Sequence, residues 1–301
     1  HTAIRRQRQM CIRDRIRDIY LLVGGEATRL RPLSEGIPKA LLTIKGRLLI
    51  DLILENLEES NLDNINLICS IKHESYWLDY KKNSKYNVNL HFEHEKLDTG
   101  GYVVENIENF DDKFLCMNGD LLIDMNFESF LEVANNSKNS TICSIPVEDP
   151  SRYGVLELEG TKIINFIEKP KDMKYGNNIS LGVYCFHKKD IKEIKNNLEV
   201  PCSFEKDVFP ELAKNNLLDC FSVNGNMLDV GTRESYIYAH TENQNNWISE
   251  SATIGKDTVI ENSVILGSSS IGNNVQVNNS IICSEAIIED EAVINDEIFK
   301  S

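Results

Sequence analysis

IYLLVGGEATRLRPLSEGIPKALL, residues 19–42, decides how the rest of the chain is read. Ile19, Tyr20, Leu21, Leu22 and Val23 form a continuous apolar run, the pattern of a strand buried on both faces of a parallel sheet. Gly24 and Gly25 then allow a sharp turn, and without side chains their backbone N–H groups can closely approach an anion. Arg29, Arg31 and Lys39 follow within a few residues, so the loop is suited to holding a triphosphate. A Gly-Gly pair after a strand is also ordinary turn chemistry, and the two glycines alone do not decide between these readings.

Downstream, strand and helix patterns alternate. Leu48 to Asn61 carries a broad apolar face, as does a helix covering a sheet. Ile65 to Ser70 reads as a strand, Glu74 to Lys85 as a helix, Val88 to Phe92 as a strand and 99–109 as a helix. Phe114 to Met117 is a strand that ends at Asn118-Gly119-Asp120. This order predicts an α/β, Rossmann-like, mainly parallel sheet with ligands at the carboxyl ends of its strands. From Thr141 to Phe186 successive strands extend the sheet. Asp190 to Leu198, Phe204 to Asn215 and Thr232 to Asn243 read as helices.

After Trp247 the grammar changes. Apolar residues recur at Ile248, Ile254, Ile260, Leu266, Ile271, Val277, Ile282, Ile288 and Ile294, in steps of six with two of five. A hexapeptide period is the signature of a β-helix whose coils stack aliphatic side chains. We therefore expect three parts: a basic extension over 1–17, an α/β domain over 18–246 and a β-helix over 247–301.

Two aspartates, Asp120 in MNGDLLID and Asp229 in MLDVGT, each follow apolar strand-like residues. Two hard oxygen ligands from separate segments suit Mg²⁺, which takes few protein carboxylates and completes its shell with water and phosphates. Asn-Gly-Asp is equally a good turn sequence. Glu168-Lys169-Pro170 closes the strand KIINFIE, and Gly154 precedes it in Arg152-Tyr153-Gly154-Val155.

Taken together, these motifs resemble the sugar-1-phosphate nucleotidyltransferases. Gly24, Gly25, Thr28, Arg29, Leu30, Pro32, Leu33, Pro38 and Lys39 match the family's signature loop, with Ala27 standing where the family usually has Gly. The resemblance implies that Gly24, Gly25, Thr28 and Arg29 bind the nucleotide with Leu97, Thr99, Gly100 and Gly101, in a segment where Asp98 replaces a usual Gly. It implies that Gly154, Glu168, Lys169 and Ser180 bind the sugar phosphate, and that Asp120 and Asp229 hold Mg²⁺. Arg29, Lys39 and Asp120 would be catalytic. The implied reaction joins a nucleoside triphosphate to a sugar-1-phosphate and releases pyrophosphate.

Residues 203–210 and the closing Val293 to Ile298 are most similar to mannose-1-phosphate guanylyltransferases with a left-handed β-helix, which implies GTP and mannose-1-phosphate. Glucose-1-phosphate with UTP or dTTP stays open, as does an NDP-sugar-binding regulator without catalysis. Residues 247–301 hold enough hexads for roughly three coils, and so short a stack leaves an open end that must be capped or paired with another subunit, which predicts a homo-oligomer through the β-helix.

Composition bounds the alternatives. The formal charge is -15, and setting aside residues 1–17, which hold six Arg and one Asp, leaves 26 basic against 46 acidic residues. Nonspecific nucleic-acid binding is disfavoured. Residues 1–17 read as a translated cloning scar and are excluded from the fold. Eight cysteines without C-x-x-C spacing read as buried, reduced thiols of a cytoplasmic protein. No apolar run reaches membrane-spanning length.

Overall fold

The computed structural model describes residues 15–60, 62–172, 174–242 and 244–300. It divides into two compact units that interleave along the chain. One runs to Gly24 and continues over Leu54–Gly119 and Ile123–Met227; the other comprises Gly25–Ile53, Asp120–Leu122 and the chain from Leu228. Within the second unit Lys39 bonds both Asp120 and Asp229. Tyr236 Oη also donates to the Thr43 carbonyl at 2.6 Å, and Lys45 pairs with Glu242.

The first unit is built on a nine-stranded sheet. Its strands in chain order are β1 (Asp18–Leu22), β2 (Asn64–Ser70), β3 (Val88–Glu93), β4 (Lys113–Asn118), β5 (Ser140–Pro146), β6 (Gly154–Glu159), β7 (Lys162–Glu168), β8 (Asn178–His187) and β9 (Leu218–Ser222). Across the sheet the order is β3-β2-β1-β4-β8-β5-β9-β7-β6. β1 lies between β2 and β4, parallel to both, and Ile19 and Leu21 are fully buried, as the apolar run requires.

Only β3-β2-β1-β4 form the expected parallel block. β8 is antiparallel to both β4 and β5, and β7 to β6. The sheet is therefore mixed. The cause is local: β6 and β7 are joined through Gly160, at φ +62°, and a tight turn can connect only antiparallel strands.

Helices α1 (Leu49–Glu55), α2 (Glu74–Asn83), α3 (Asp98–Asn106), α4 (Phe127–Asn136), α5 (Lys188–Ile194), α6 (Phe209–Lys214) and α7 (Arg233–Thr241) accompany the strands. α4 is absent from the sequence reading although its signals are present. Asn126 caps it by accepting from the Ser129 N–H, and Phe127, Phe130, Leu131 and Ala134 recur at helical spacing and are buried. The helix expected over 204–215 opens instead as a π-helical turn, Phe204–Val208, that leads into α6.

Of the basic extension, residues 1–14 lie outside the described residues. Its last three residues belong to the fold: Ile16 is 1% exposed and its N–H donates to Asn135 Oδ1, while Arg15 and Arg17 pair with Asp63 and Asp111. The seven described cysteines are buried free thiols. No helix among the described residues is long and apolar enough to cross a membrane.

In the second unit, the residues after Asn246 form ten short strands in three parallel sheets. Their register advances by 17 residues on every face, stacking Ile248, Ile265, Ile282 and Phe299 on one, Ile254, Ile271 and Ile288 on another, and Ile260, Val277 and Ile294 on the third. Ile265, and not the expected Leu266, occupies the stacked column. Correcting that one position turns an irregular period into a constant 6-6-5 pattern. The corners repeat as well: Asp257, Asn274 and Glu291, then Asn262, Asn279 and Asp296, all adopt positive φ. Short polar side chains tolerate this conformation, and Asn262 Nδ2 donates to Asn279 Oδ1 at 2.9 Å, linking one coil to the next. This arrangement is consistent with a β-helix.

Candidate active site

In the second unit, the loop after Gly24 folds back on itself. Glu26 bridges to Pro38, and the Lys39 N–H donates to the Gly25 carbonyl. Leu30 anchors the short 3₁₀ turn Thr28–Leu30 in the core. Ala27 is itself buried, with φ -85°, a conformation that needs no glycine; its methyl group is accommodated. A Cβ on Gly25 would meet no atom within 4 Å, so the backbone is open there.

This fold-back delivers Lys39 to the two aspartates. Its Nζ donates to Asp120 Oδ2 at 2.8 Å and to Asp229 Oδ1 at 2.7 Å, with the lysine side chain only 7% exposed and each carboxylate about 40% exposed. Arg29 stands 4.0 Å from Asp229 Oδ2 and is 62% exposed. Two cations and two carboxylates balance, which is what permits an ammonium to be buried. Arg31 turns away and pairs with Glu26.

Gly231 was not singled out in the sequence, yet a Cβ there would stand 2.8 Å from Asp229 Oδ1 and 3.1 Å from both Lys39 Nζ and an Arg29 nitrogen. Those neighbours are the ends of side chains, which can yield. Gly231→Ala should therefore remain folded, with a melting temperature within a few degrees of the parent, while losing about tenfold or more in turnover. Unchanged turnover would mean that the cluster's spacing is not critical.

In the first unit, β1 to β4 end together: Leu22 is in register with Ile68 and Asn118, and Ser70 with Glu93. Gly24 follows β1, and a Cβ on it would lie 3.3 Å from Glu93 Oε2. Burial, with smaller contributions from Asp98 and Glu105, pushes the Glu93 carboxyl up to about 7.

Below pH 4.5 Glu93 is neutral in both states; from 4.5 to 7 the unfolded chain ionises first, so this contribution to stability is lost as pH rises. Glu93→Gln should be more stable than the parent at pH 8 by about 1 kcal/mol, a figure discounted for partial solvent screening, and the gap should close by pH 4. Urea unfolding at both pH values checks it; a gap independent of pH would refute it.

Leu97, Thr99, Gly100 and Gly101 lie at the start of α3. A Cβ on Gly100 would stand 3.1 Å from Phe204 and 3.2 Å from Val208, and one on Gly101 would stand 2.8 Å from the Leu97 Cβ, so close packing accounts for both glycines. Asp98 takes φ +58° and pairs with Lys96 at 3.5 Å. Lys169 Nζ donates to Glu168 Oε1 at 2.8 Å, and the Lys169 N–H to the Tyr153 carbonyl. The side of Gly154 where a Cβ would project is occupied by the Phe166 ring at 2.3 Å, so packing demands this glycine whatever binds nearby. Ser180 sits at the start of a register shift between β8 and β5, its hydroxyl accepting from the Gly182 N–H at 3.4 Å. Such bulges commonly re-aim side chains beside functional sites.

Parallel strands opening at their carboxyl ends into a glycine turn place the protein in the nucleotide-handling α/β class. The Nucleotidyl transferase family model matches residues 20–246, and the chain belongs to that family. Among its relatives, the mannose-1-phosphate guanyltransferase of Hypocrea jecorina is 34% identical over 229 residues, which are 72% of this chain and 61% of that protein. The mannose-1-phosphate guanylyltransferase catalytic subunit beta of Drosophila melanogaster is 32% identical over 226 residues, covering 72% and 60%. The chain thus spans about three fifths of the length of these curated relatives.

Among solved structures, HddC from Yersinia pseudotuberculosis complexed with GMP-PN superposes with TM-score 0.62 at 28% identity, covering 74% of this chain and 98% of that one. A glucose-1-phosphate thymidylyltransferase from Bacillus anthracis shares the fold at TM-score 0.64 and 21% identity, covering 76% and 95%.

Proposed function

We propose that this protein transfers a nucleotidyl group from GTP to mannose-1-phosphate, releasing pyrophosphate. The observation that carries this reading is the Lys39–Asp120–Asp229 cluster at the end of the signature loop. A phosphate monoester oxygen is already ionised at neutral pH, so the attack on the α-phosphorus needs no protein nucleophile or general base. Catalysis reduces to alignment and charge neutralisation. Arg29 is assigned to the triphosphate and the leaving pyrophosphate, and Lys39 to phosphate oxygens during displacement. Gly24, Gly25, Thr28, Leu97, Thr99, Gly100 and Gly101 are assigned to the nucleotide. Gly154, Glu168, Lys169 and Ser180 are assigned to the sugar phosphate.

Asp120 and Asp229 converge on one ammonium, so their hard oxygens already share a single cation. This donor set fits Mg²⁺, which is typically held by one or two carboxylates, and the two aspartates would hold it. When bound, the ion supplies charge neutralisation to the phosphates. Support for guanine and mannose comes from the names borne by the relatives and from GMP-PN in the Yersinia structure. We further assign the 17-residue coils to a left-handed β-helix that assembles a cytoplasmic homo-oligomer.

The test is pyrophosphate release from four nucleoside triphosphates against several sugar-1-phosphates, with Mg²⁺. GTP with mannose-1-phosphate should give the highest kcat/KM. A far higher value for UTP or dTTP with glucose-1-phosphate would overturn the substrate pair. NDP-sugar binding without pyrophosphate release from any pair would overturn the reaction in favour of a regulatory binder.

A further inference from the structure

The π-helical turn Phe204–Val208 and Cys202 just before it meet the segment assigned to the nucleotide at four hydrogen bonds, two from each. The Gly100 N–H donates to the Cys202 carbonyl at 3.0 Å, and the Cys202 N–H to the Leu97 carbonyl at 3.2 Å. Thr99 completes the set in both directions: its Oγ1 accepts from the Phe204 N–H at 2.9 Å and donates to Glu205 Oε2 at 2.8 Å. π-turns are rare and concentrate at functional sites.

The same turn is joined to the Glu168-Lys169 motif. The Phe204 ring packs with Tyr184, Phe186 and Phe209, and Phe209 meets Phe166, two residues before Glu168, at 4.9 Å with the rings tilted by 43°. Burial pushes the Glu205 carboxyl up, and the hydrogen bond from Thr99 opposes that shift. One half-buried carboxylate therefore holds Thr99 at the opening of the π-turn.

We propose that Glu205 is a positioning residue that holds Thr99 of the nucleotide segment, so that it sets the affinity for the nucleotide. The inference rests on the substrate assignments above and deepens them. Holding Thr99 needs only an acceptor oxygen, which glutamine also offers.

The experiment compares the full-length parent with Glu205→Gln, Glu205→Ala, Thr99→Val and the Thr99→Val/Glu205→Ala double variant. Calorimetry measures GTP and mannose-1-phosphate binding, and pyrophosphate release measures KM and kcat. Glu205→Ala should weaken GTP binding by about tenfold and leave mannose-1-phosphate within about threefold of the parent. Glu205→Gln should restore GTP affinity to within about threefold of the parent. The double variant should lose less GTP affinity than the sum of the two single losses, because both changes break the Thr99–Glu205 bond while Thr99→Val also removes the acceptor of the Phe204 N–H.

Fully additive losses for Thr99 and Glu205, no recovery of GTP affinity in Glu205→Gln, or unchanged GTP affinity in Glu205→Ala would each overturn the proposal. Absence of turnover in a parent that still binds both ligands would fail the reaction assignment, and the binding constants would then decide the role of Glu205. A parent that bound neither ligand would overturn both.

Discussion

Replacing Lys39 with alanine should lower nucleotidyl transfer by at least about a hundredfold, and replacing Asp120 or Asp229 should do the same. The three side chains form one unit: a 7%-exposed ammonium donates to both carboxylates at 2.8 and 2.7 Å. Without Lys39, two anions remain where one cation held them together, and the phosphates lose a positive charge at the displacement. Lys39→Arg should not restore activity. A planar guanidinium fork cannot occupy the site of a compact ammonium that touches two oxygens and lies 3.1 Å from where even a methyl on Gly231 would stand.

Circular dichroism should show the three alanine variants folded while pyrophosphate release collapses. Near-parental Mg²⁺-dependent turnover in Asp120→Ala or Asp229→Ala would end the assignment of those two carboxylates to the metal.

A large loss of stability is expected one residue before Asp120. A Cβ on Gly119 would stand 2.4 Å from Val23 Cγ1 and 2.9 Å from the Leu22 carbonyl oxygen, which the Gly119 N–H itself bonds at 3.0 Å. The obstacle includes backbone, so relief requires β1 and the end of β4 to move apart, disturbing the parallel block at its centre. Gly119→Ala should cost about 3–5 kcal/mol, and the larger Gly119→Val should not accumulate as folded protein. Urea midpoints decide this. A midpoint for the alanine variant within about 0.5 kcal/mol of the parent would show that the chain reaches Asp120 with more room than this geometry allows.

How much of this was legible in the sequence depended on range. The strand, glycine turn and basic residues of 19–42 are a local pattern, and the parallel block around β1 follows from it. The pairing of Lys39 with Asp120 and Asp229 spans 81 and 190 residues, so sequence order could nominate the partners but not reveal that one buried amine joins them. Gly231, Gly119 and Glu205 matter through what stands beside them in space, which no spacing rule encodes. α4 was different, since its cap and apolar face were readable in Asn126 to Ala134 and went unused. The mixed sheet was hidden because Thr141 to Phe186 announces strands without announcing their direction.

The constant 17-residue advance of the C-terminal coils restricts how this tail can change over generations. One inserted residue shifts the downstream alternation, so side chains that faced the interior would face water. Loss of residues 264–280 would instead bring Ile281 to the position that Val264 held and leave every remaining column intact, because those two residues are register partners. Gene-length variants of this region should therefore survive in steps of one coil, with smaller insertions confined to the corners where Asn, Asp, Glu and Ser already carry positive φ.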